Sequence, residues 1–348
     1  MQTYQNNKKI IFLINTEYHL LLAKYIFNIH FPSYQPLFLI IKNKNRFKSP
    51  IIFDTTIKLI ESPLFFKKGF NKIIFFKSFN EVLLNNYDIV LSFQDAEFVN
   101  NILISEIKQR YNSKIILCQD GLASYVNDYS YFKLLKKTIK IFYIKYFLNF
   151  KEISFVLKWG KNKNVDEYLL TNPNDLYFKT KKEINTLEFE QNDLFIKQIE
   201  KLFNFDIKKL NIVKTDRYIF FLSQGFLDKE SRNLEFNLIK KLKQISIQNN
   251  LKLIIKLHPS DSRNDIINLI DDEKIELIKE NIPAELILTL FNNSYIISGY
   301  STSLLTKTKT NKYYWVYPIL YKKFKSKFKV EHINIIDNFD QLQLDLND

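Results

Sequence analysis

Residues Ile10 to Ile14 form an unbroken apolar run, Ile-Ile-Phe-Leu-Ile, and that run decides much of what the chain can fold into. A strand with one wet face alternates apolar and polar residues. A strand that is apolar throughout must be covered on both faces, as in a parallel sheet between two layers of helices. Asn15 and Thr16 break the run. Glu17 to Phe31 then carries Leu20, Leu21, Ala23, Ile26 and Phe27 at helical spacing, with Thr16 placed to cap the helix and Pro32 and Pro36 beyond its end. Gln35 to Lys42 reads as a second strand. The order β-α-β calls for a parallel sheet joined by a right-handed crossover.

The alternation continues. After a less regular stretch, Lys48 to Lys72, the pattern predicts a helix over Phe79 to Asn86, a strand over Asp88 to Phe93, a helix over Ala96 to Arg110 and a strand over Lys114 to Cys118. Lys181 to Thr215 is polar and poor in strand signals, with helical pieces around Asp193 to Phe203, and reads as an interdomain region. A second alternation follows: strands at Arg217 to Ser223, Leu251 to Leu257, Ile275 to Ile278, Tyr295 to Ile297 and, last, Tyr313 to Val316. The helices between them are Glu230 to Asn249, Asp265 to Asp271, Pro283 to Phe291 and Thr302 to Thr306. The expected architecture is α/β: a Rossmann-like domain over 1–180, an interdomain region over 181–215, and a second Rossmann-like domain with a C-terminal tail over 216–348, the two facing across a cleft.

Composition narrows the functional classes. The chain has 348 residues, 46% hydrophobic and 25% charged, which is globular rather than disordered. One cysteine, Cys118, excludes an internal disulfide framework and fits a reducing cytoplasm. With four scattered histidines beside it, a zinc site of ordinary ligand spacing is not expected. Lys8 and Lys9 precede the first apolar run, but Asn15, Glu17 and His19 follow too soon for a secretory h-region, and no run of about 20 apolar residues marks a membrane span. The net charge of +14 points to an anionic partner, whether nucleic acid, membrane surface or small molecule. Tyr131 to Phe150 is the densest basic and aromatic stretch. It reads either as a core-facing helix with a solvated lysine face or as a helix lying on an anionic membrane; nucleic-acid contact by stacking is the weaker third reading. No glycine-rich phosphate loop is present, an informative absence with only five glycines in the chain.

The chemistry-bearing residues cluster at strand ends. His258-Pro259 follows one strand, where a histidine can meet a phosphate and act as a general acid. Ser301, Thr302 and Ser303 follow another, at a helix start that serves as a cap or as an anion site. Glu285, in Ile-Pro-Ala-Glu, is placed to accept hydrogen bonds from a ribose, and Ser223-Gln224-Gly225 ends the first strand of the second half. In the first half Gln119-Asp120-Gly121 follows Cys118. Asp-Gly is by itself a turn; next to a ligand, Asp120 becomes a candidate general base and Gly121 allows close approach of a sugar.

The order of an Asp-Gly motif, a His-Pro motif and a Ser/Thr motif resembles the bacterial sialyltransferases, most closely the cytoplasmic enzymes of lipooligosaccharide and polysialic acid capsule synthesis. In those families the first motif is two acidic residues and a glycine; here the first acid is replaced by Gln119. The resemblance implies a GT-B fold, Asp120 as catalytic base, and His258 as catalytic residue and nucleotide contact. It implies a nucleotide-sugar site made of His258, Pro259, Glu285, Ser301, Thr302 and Ser303, with Ser223, Gln224 and Gly225 lining it. Asn15 to Leu21 also looks like the family's strand-to-helix opening, which adds Thr16 and His19 to Gln119 and Gly121 as acceptor-side residues, with Glu17 and Gln94-Asp95 nearby. The expected reaction is inverting and metal-independent, with no cofactor and with CMP-sialic acid as donor. The acceptor is a surface glycan or lipid-linked glycan, reached from the cytoplasm with peripheral contact to an anionic inner membrane through 133–146 or 322–329; no nucleic acid is expected. Transfer of another CMP-activated acidic sugar (Kdo, legionaminic or pseudaminic acid), a teichoic-acid-type glycerophosphotransferase, and a non-catalytic basic binding protein remain the alternatives.

Overall fold

The first strand, β1 (Lys9–Ile14), is buried along almost its whole length and pairs in parallel on both sides, with β2 (Gln35–Lys42) and β4 (Ile89–Ser92). The structure, a computed structural model, describes residues 8–42, 51–62, 72–125, 131–188, 193–210, 212, 216–225, 228–258, 275–278, 280, 282–305, 310–321 and 329–347. The expected helix Asp265 to Asp271, the residue Pro259 and most of the 322–329 run lie outside them. The chain divides into two compact units, the first running to Glu190 and the second starting at Gln191.

In the first unit a seven-stranded parallel sheet has the order β3-β2-β1-β4-β5-β6-β7, with β3 (Ile57–Glu61), β5 (Lys114–Cys118), β6 (Glu167–Leu170) and β7 (Glu183–Thr186) completing it. Both faces are covered, as the apolar runs require. On one face Phe12 stacks on Phe38 at 4.9 Å, and Phe27 of helix α1 (Glu17–His30) meets both edge-on. On the other, Ile11, Leu13, Leu39 and Val90 pack with Phe75 and Phe79 of α2 (Lys72–Leu83) and Ile102 of α3 (Phe98–Tyr111). Each such buried side chain contributes about 1.5–3 kcal/mol. Thr16 caps α1 as expected, accepting from the His19 N–H. Glu97 caps α3, accepting from the N–H groups of Val99 and Asn100.

Several features depart from the sequence reading: β3 falls in the stretch read as less regular, and α2 starts well before the expected Phe79. β7 lies within the stretch read as interdomain, yet pairs along β6 and belongs to the first sheet. Its sequence, Glu-Ile-Asn-Thr, is short, polar and partly exposed, as edge strands are. β6 carries Glu167, whose charge is met by Lys114 on the neighbouring strand, so a charged residue hides a buried strand. The expected helix over 131–150 is α4 (Tyr131–Phe142) continued by a π-turn, Tyr143–Phe147.

In the second unit a six-stranded parallel sheet has the order β10-β9-β8-β11-β12-β13. Its strands are β8 (Tyr218–Leu222), β9 (Lys252–Lys256), β10 (Ile275–Ile278), β11 (Tyr295–Ser298), β12 (Lys312–Trp315) and β13 (Ile333–Ile335). β12 is thus not the last strand; β13, only three residues long, follows it and pairs with it. One face packs Ile219 and Phe221 under Leu238, Ile239, Leu242 and Ile245 of the long helix α6 (Lys229–Gln248), and on the other Phe220 lies 4.7 Å from Phe291. Short helices α7 (Ala284–Leu288) and α8 (Tyr317–Leu320) flank the sheet, and α9 (Phe339–Asn347) adds Leu342 and Leu346 to the α6 side. α5 (Asp193–Leu202) is the helical piece expected in the interdomain stretch, and it falls in this unit.

Candidate active site

In both sheets the first strand sits between the second and the fourth, so the strand order reverses beside it. Segments leaving the carboxyl ends of strands at such a reversal diverge and open a crevice, the usual ligand position of open α/β sheets. The candidate residues lie there, one set in each unit.

In the first unit the centre is Asp120, just past β5. His19 Nε2 lies 2.8 Å from Asp120 Oδ1, and Gln94 Nε2 donates to Oδ2 at 2.8 Å. The Asp120 backbone N–H is held by Ser124 Oγ at 2.8 Å. His19 is 1% exposed, whereas the Asp120 side chain is 20% exposed. The other imidazole nitrogen, Nδ1, accepts the Asn15 N–H at 3.3 Å. That fixes the tautomer: Nδ1 is an acceptor, so Nε2 carries the proton and donates it to Asp120. Phe93 stacks under the imidazole at 4.6 Å, nearly parallel to it. His19 therefore stands behind Asp120 as its support. Gly121 turns the chain away with a φ of +58°, a left-handed conformation that favours glycine.

Gln119 is buried and faces the scaffold. Its Oε1 accepts from the Tyr125 hydroxyl at 2.7 Å, the Thr171 hydroxyl at 2.8 Å and the Thr171 N–H at 2.9 Å, while its Nε2 donates to the Tyr18 hydroxyl at 2.9 Å. Gln119 thus uses both its amide donor and its amide acceptor here, whereas a carboxylate would only accept.

Behind Gln94 lies a clamp that the sequence reading did not find. Asp95 is fully buried and accepts the N–H groups of Gly160 and Asn162, each at 2.9 Å, while Trp159 Nε1 donates to the Phe93 carbonyl at 2.8 Å. Burial outweighs these bonds and pushes the Asp95 carboxyl up to about 6. Gly160 has a φ of +77°, and a Cβ there stands 2.5 Å from the Phe178 ring. Asn15 and Asn100 also exchange side-chain hydrogen bonds, at 2.8 and 3.3 Å, tying the end of β1 to α3. The available signal was a polar pair, Gln94-Asp95, directly after a buried strand.

In the second unit the ends of β8, β9 and β11 meet. Ser223 Oγ accepts the His258 N–H at 2.9 Å, which fixes the backbone as it leaves β9. Buried Glu235 of α6 accepts the Gln224 N–H at 2.9 Å, and Gln224 Nε2 donates to Ser298 Oγ at 3.0 Å. The half-buried turn residue Gly225 follows. Glu285, buried in the first turn of α7, accepts the Ser303 hydroxyl at 2.8 Å. Burial holds its carboxyl above the usual range, opposed by its own backbone N–H, by Ser303 and by the charge of Lys256. Thr302 opens a 3-10 turn, Thr302–Leu305, and Ser301 Oγ caps the Ser303 N–H at 3.2 Å. The short helix expected there is this single 3-10 turn; Glu285 orders the Ser303 hydroxyl, and the Ser301 hydroxyl orders the Ser303 N–H. Glu235 and Lys256 were missed because charges inside a helix and at the end of a strand read as solvated.

Two Rossmann-like domains, each with its polar cluster at the strand-order reversal, are the architecture of the GT-B fold. The comparisons agree. Residues 10–316 match the alpha-2,8-polysialyltransferase family, and the chain belongs to that family. It is therefore a glycosyltransferase of the sialyltransferase kind. A sialyltransferase from Photobacterium damsela superposes with a TM-score of 0.53 at 11% identity, covering 89% of this chain and 74% of that one. A Photobacterium 2,6-sialyltransferase, solved in a ternary complex with CMP and lactose, gives 0.53 at 12% identity, covering 88% and 71%. The UDP-GlcNAc 2-epimerase of Methanocaldococcus jannaschii gives 0.53 at 11% identity, covering 97% and 91%. At such identities the likeness is one of fold. A search of curated proteins finds no sequence match.

Proposed function

We propose that the protein transfers sialic acid from CMP-sialic acid to a hydroxyl of a glycan acceptor, inverting the anomeric centre and using no metal. The observation that carries the reading is the preorganised carboxylate: Asp120 is partly open to solvent, and both its oxygens are held by donors from buried or half-buried side chains. Family membership supplies the sialic acid chemistry, and the CMP and lactose of the Photobacterium complex support a CMP-linked donor and a glycan acceptor.

In this reading Asp120 takes the proton from the acceptor hydroxyl. That oxygen forms the new bond to the anomeric carbon while the bond from carbon to phosphate oxygen breaks, and its electron pair leaves with CMP. The transition state is oxocarbenium-like, and negative charge grows on the phosphate. His258 donates a proton or a hydrogen bond there, assisted by the hydroxyls of Ser301, Thr302 and Ser303. Glu285 holds the ribose hydroxyls, and Ser223, Gln224 and Gly225 shape the turn beside the nucleotide. His19 and Gln94 keep Asp120 aimed, and Thr16 and Gly121 border the acceptor.

Thermal stabilisation by nucleotides tests the donor. CMP and CDP are expected to raise the melting temperature where UDP and ADP do not; the reverse order overturns the assignment. Asp120→Asn is expected to lower transfer by about 100-fold or more and to leave the CMP shift intact. Full activity in that variant removes Asp120 as the base. Product analysis with CMP-sialic acid against CMP-Kdo separates the donor sugars, and unchanged turnover after chelation supports a metal-free step.

A further inference from the structure

Helix α4 and the π-turn after it carry their apolar side chains outward. Phe132, Ile139, Tyr146 and Phe147 are 68, 62, 65 and 80% exposed, and Leu135, Phe142 and Tyr143 are exposed with them. Positions 132, 135, 139, 142 and 146 follow the three-and-four spacing of a single helix face, so these side chains form one continuous stripe. Ring contacts consolidate it: Phe142 stacks on Tyr146 at 5.6 Å, Tyr143 on Phe147 at 5.7 Å, and exposed Phe155 meets Phe142 at 5.6 Å. The side packed on the domain is narrow, made by Ile141 and Ile144. Lys137 crosses it to donate to the Leu157 carbonyl at 2.8 Å, and Lys140 lies over the Phe98 ring at 4.3 Å. A core-facing helix with a solvated lysine face is the opposite arrangement.

The charges say what covers the stripe. Residues 131–151 contain six lysines (133, 136, 137, 140, 145 and 151) and no acid, in a chain of net charge +14. A second copy docked through this stripe brings lysines against lysines, whereas anionic headgroups neutralise them. The stripe extends about 25 Å, far more than one inserted side chain, and among the described residues no helix is long and apolar enough to cross a membrane. Aromatic and aliphatic residues on one face with flanking lysines are the make-up of a helix that lies in the interfacial region.

We propose that residues 132–147 form a membrane-docking face, with the rings and aliphatic chains of Phe132, Ile139, Phe142, Tyr146 and Phe147 set among the acyl chains of an anionic leaflet and the rim lysines Lys136 and Lys145 at its phosphates. The inference does not depend on which sugar the enzyme transfers.

The test is co-sedimentation of the full chain with vesicles of phosphatidylcholine alone or with 30% phosphatidylglycerol. Binding is expected with phosphatidylglycerol and is at least tenfold weaker without it. At 0.5 M salt it weakens but persists, because the apolar part is not screened. The triple variant Phe132→Gln, Ile139→Gln, Phe147→Gln changes exposed positions only; it is expected to lose vesicle binding more than tenfold with an unchanged melting temperature. Lys136→Glu, a single reversal at the rim, is expected to lose several-fold. Absence of binding to phosphatidylglycerol vesicles at low salt overturns the proposal, as does a wild-type dimer in sedimentation velocity that the triple variant converts to monomer.

Discussion

His19 donates to Asp120 from the only nitrogen left to it, because the other accepts the Asn15 N–H at the end of β1. The orientation of the candidate base is thereby set by the backbone of a neighbouring strand. His19→Ala is expected to lower kcat by about 10- to 100-fold, since a loosened carboxylate loses its alignment with the acceptor. The KM for the donor is expected to stay near wild type, because the residues proposed to hold the nucleotide belong to the other domain. His19→Gln, which restores a donor toward Asp120, recovers part of kcat. A merely structural His19 gives instead a fall in melting temperature with kcat per folded molecule unchanged.

Asp95 supplies a pH signature. Its carboxyl is lifted from 3.8 to about 6 by burial, so the folded state binds a proton more tightly than the unfolded state does. Between about pH 4 and 6 the native form is the more protonated one, and stability from this group falls as pH rises. The loss across that window is roughly 3 kcal/mol. Asp95→Asn removes the titration. The melting temperature of wild type minus that of Asp95→Asn is therefore expected to be largest near pH 4 and to shrink toward pH 7. A difference that does not move with pH contradicts the assignment.

Gly160 is expected to tolerate no side chain. Its φ of +77° disfavours a Cβ, and the added atom falls 2.5 Å from the Phe178 ring. Gly160→Ala is expected to destabilise by about 2–4 kcal/mol, combining left-handed strain with overpacking. Calorimetry of the double variant Gly160→Ala, Phe178→Leu should recover the packing part and leave the backbone part.

The Ser303 hydroxyl donates to buried Glu285. Ser303→Ala removes that donor from a carboxyl already held above its usual range by burial, and the proton is bound more firmly still. Stability is expected to fall by about 1–3 kcal/mol at neutral pH. The CMP thermal shift is also expected to shrink if Ser303 orients Glu285 toward the nucleotide. An unaltered CMP shift in a destabilised variant restricts Ser303 to the fold.

The strands that position the site were legible because continuous apolar runs are unambiguous: β1, β5 and β8 stand where their sequences put them. The positions of Asp120 and His258, just after such runs, were legible in the same way. What escaped depends on partners distant in sequence. Glu167 sits in a buried strand because Lys114 lies on the next one. Asp95 is buried because the turn at Gly160 brings two N–H groups to it from 65 and 67 residues away. For α4, periodicity shows an apolar face but carries no information about which way that face points, and here it points outward.

The amide at Gln119 has a consequence for catalysis as well as for packing. Spent on Tyr18, Tyr125 and Thr171, it occupies the place of a second carboxylate beside Asp120 without adding its charge. A carboxylate there would set a second negative charge next to the candidate base and lose the amide's donor to Tyr18. Gln119→Glu is therefore expected to lower kcat while leaving the CMP thermal shift in place.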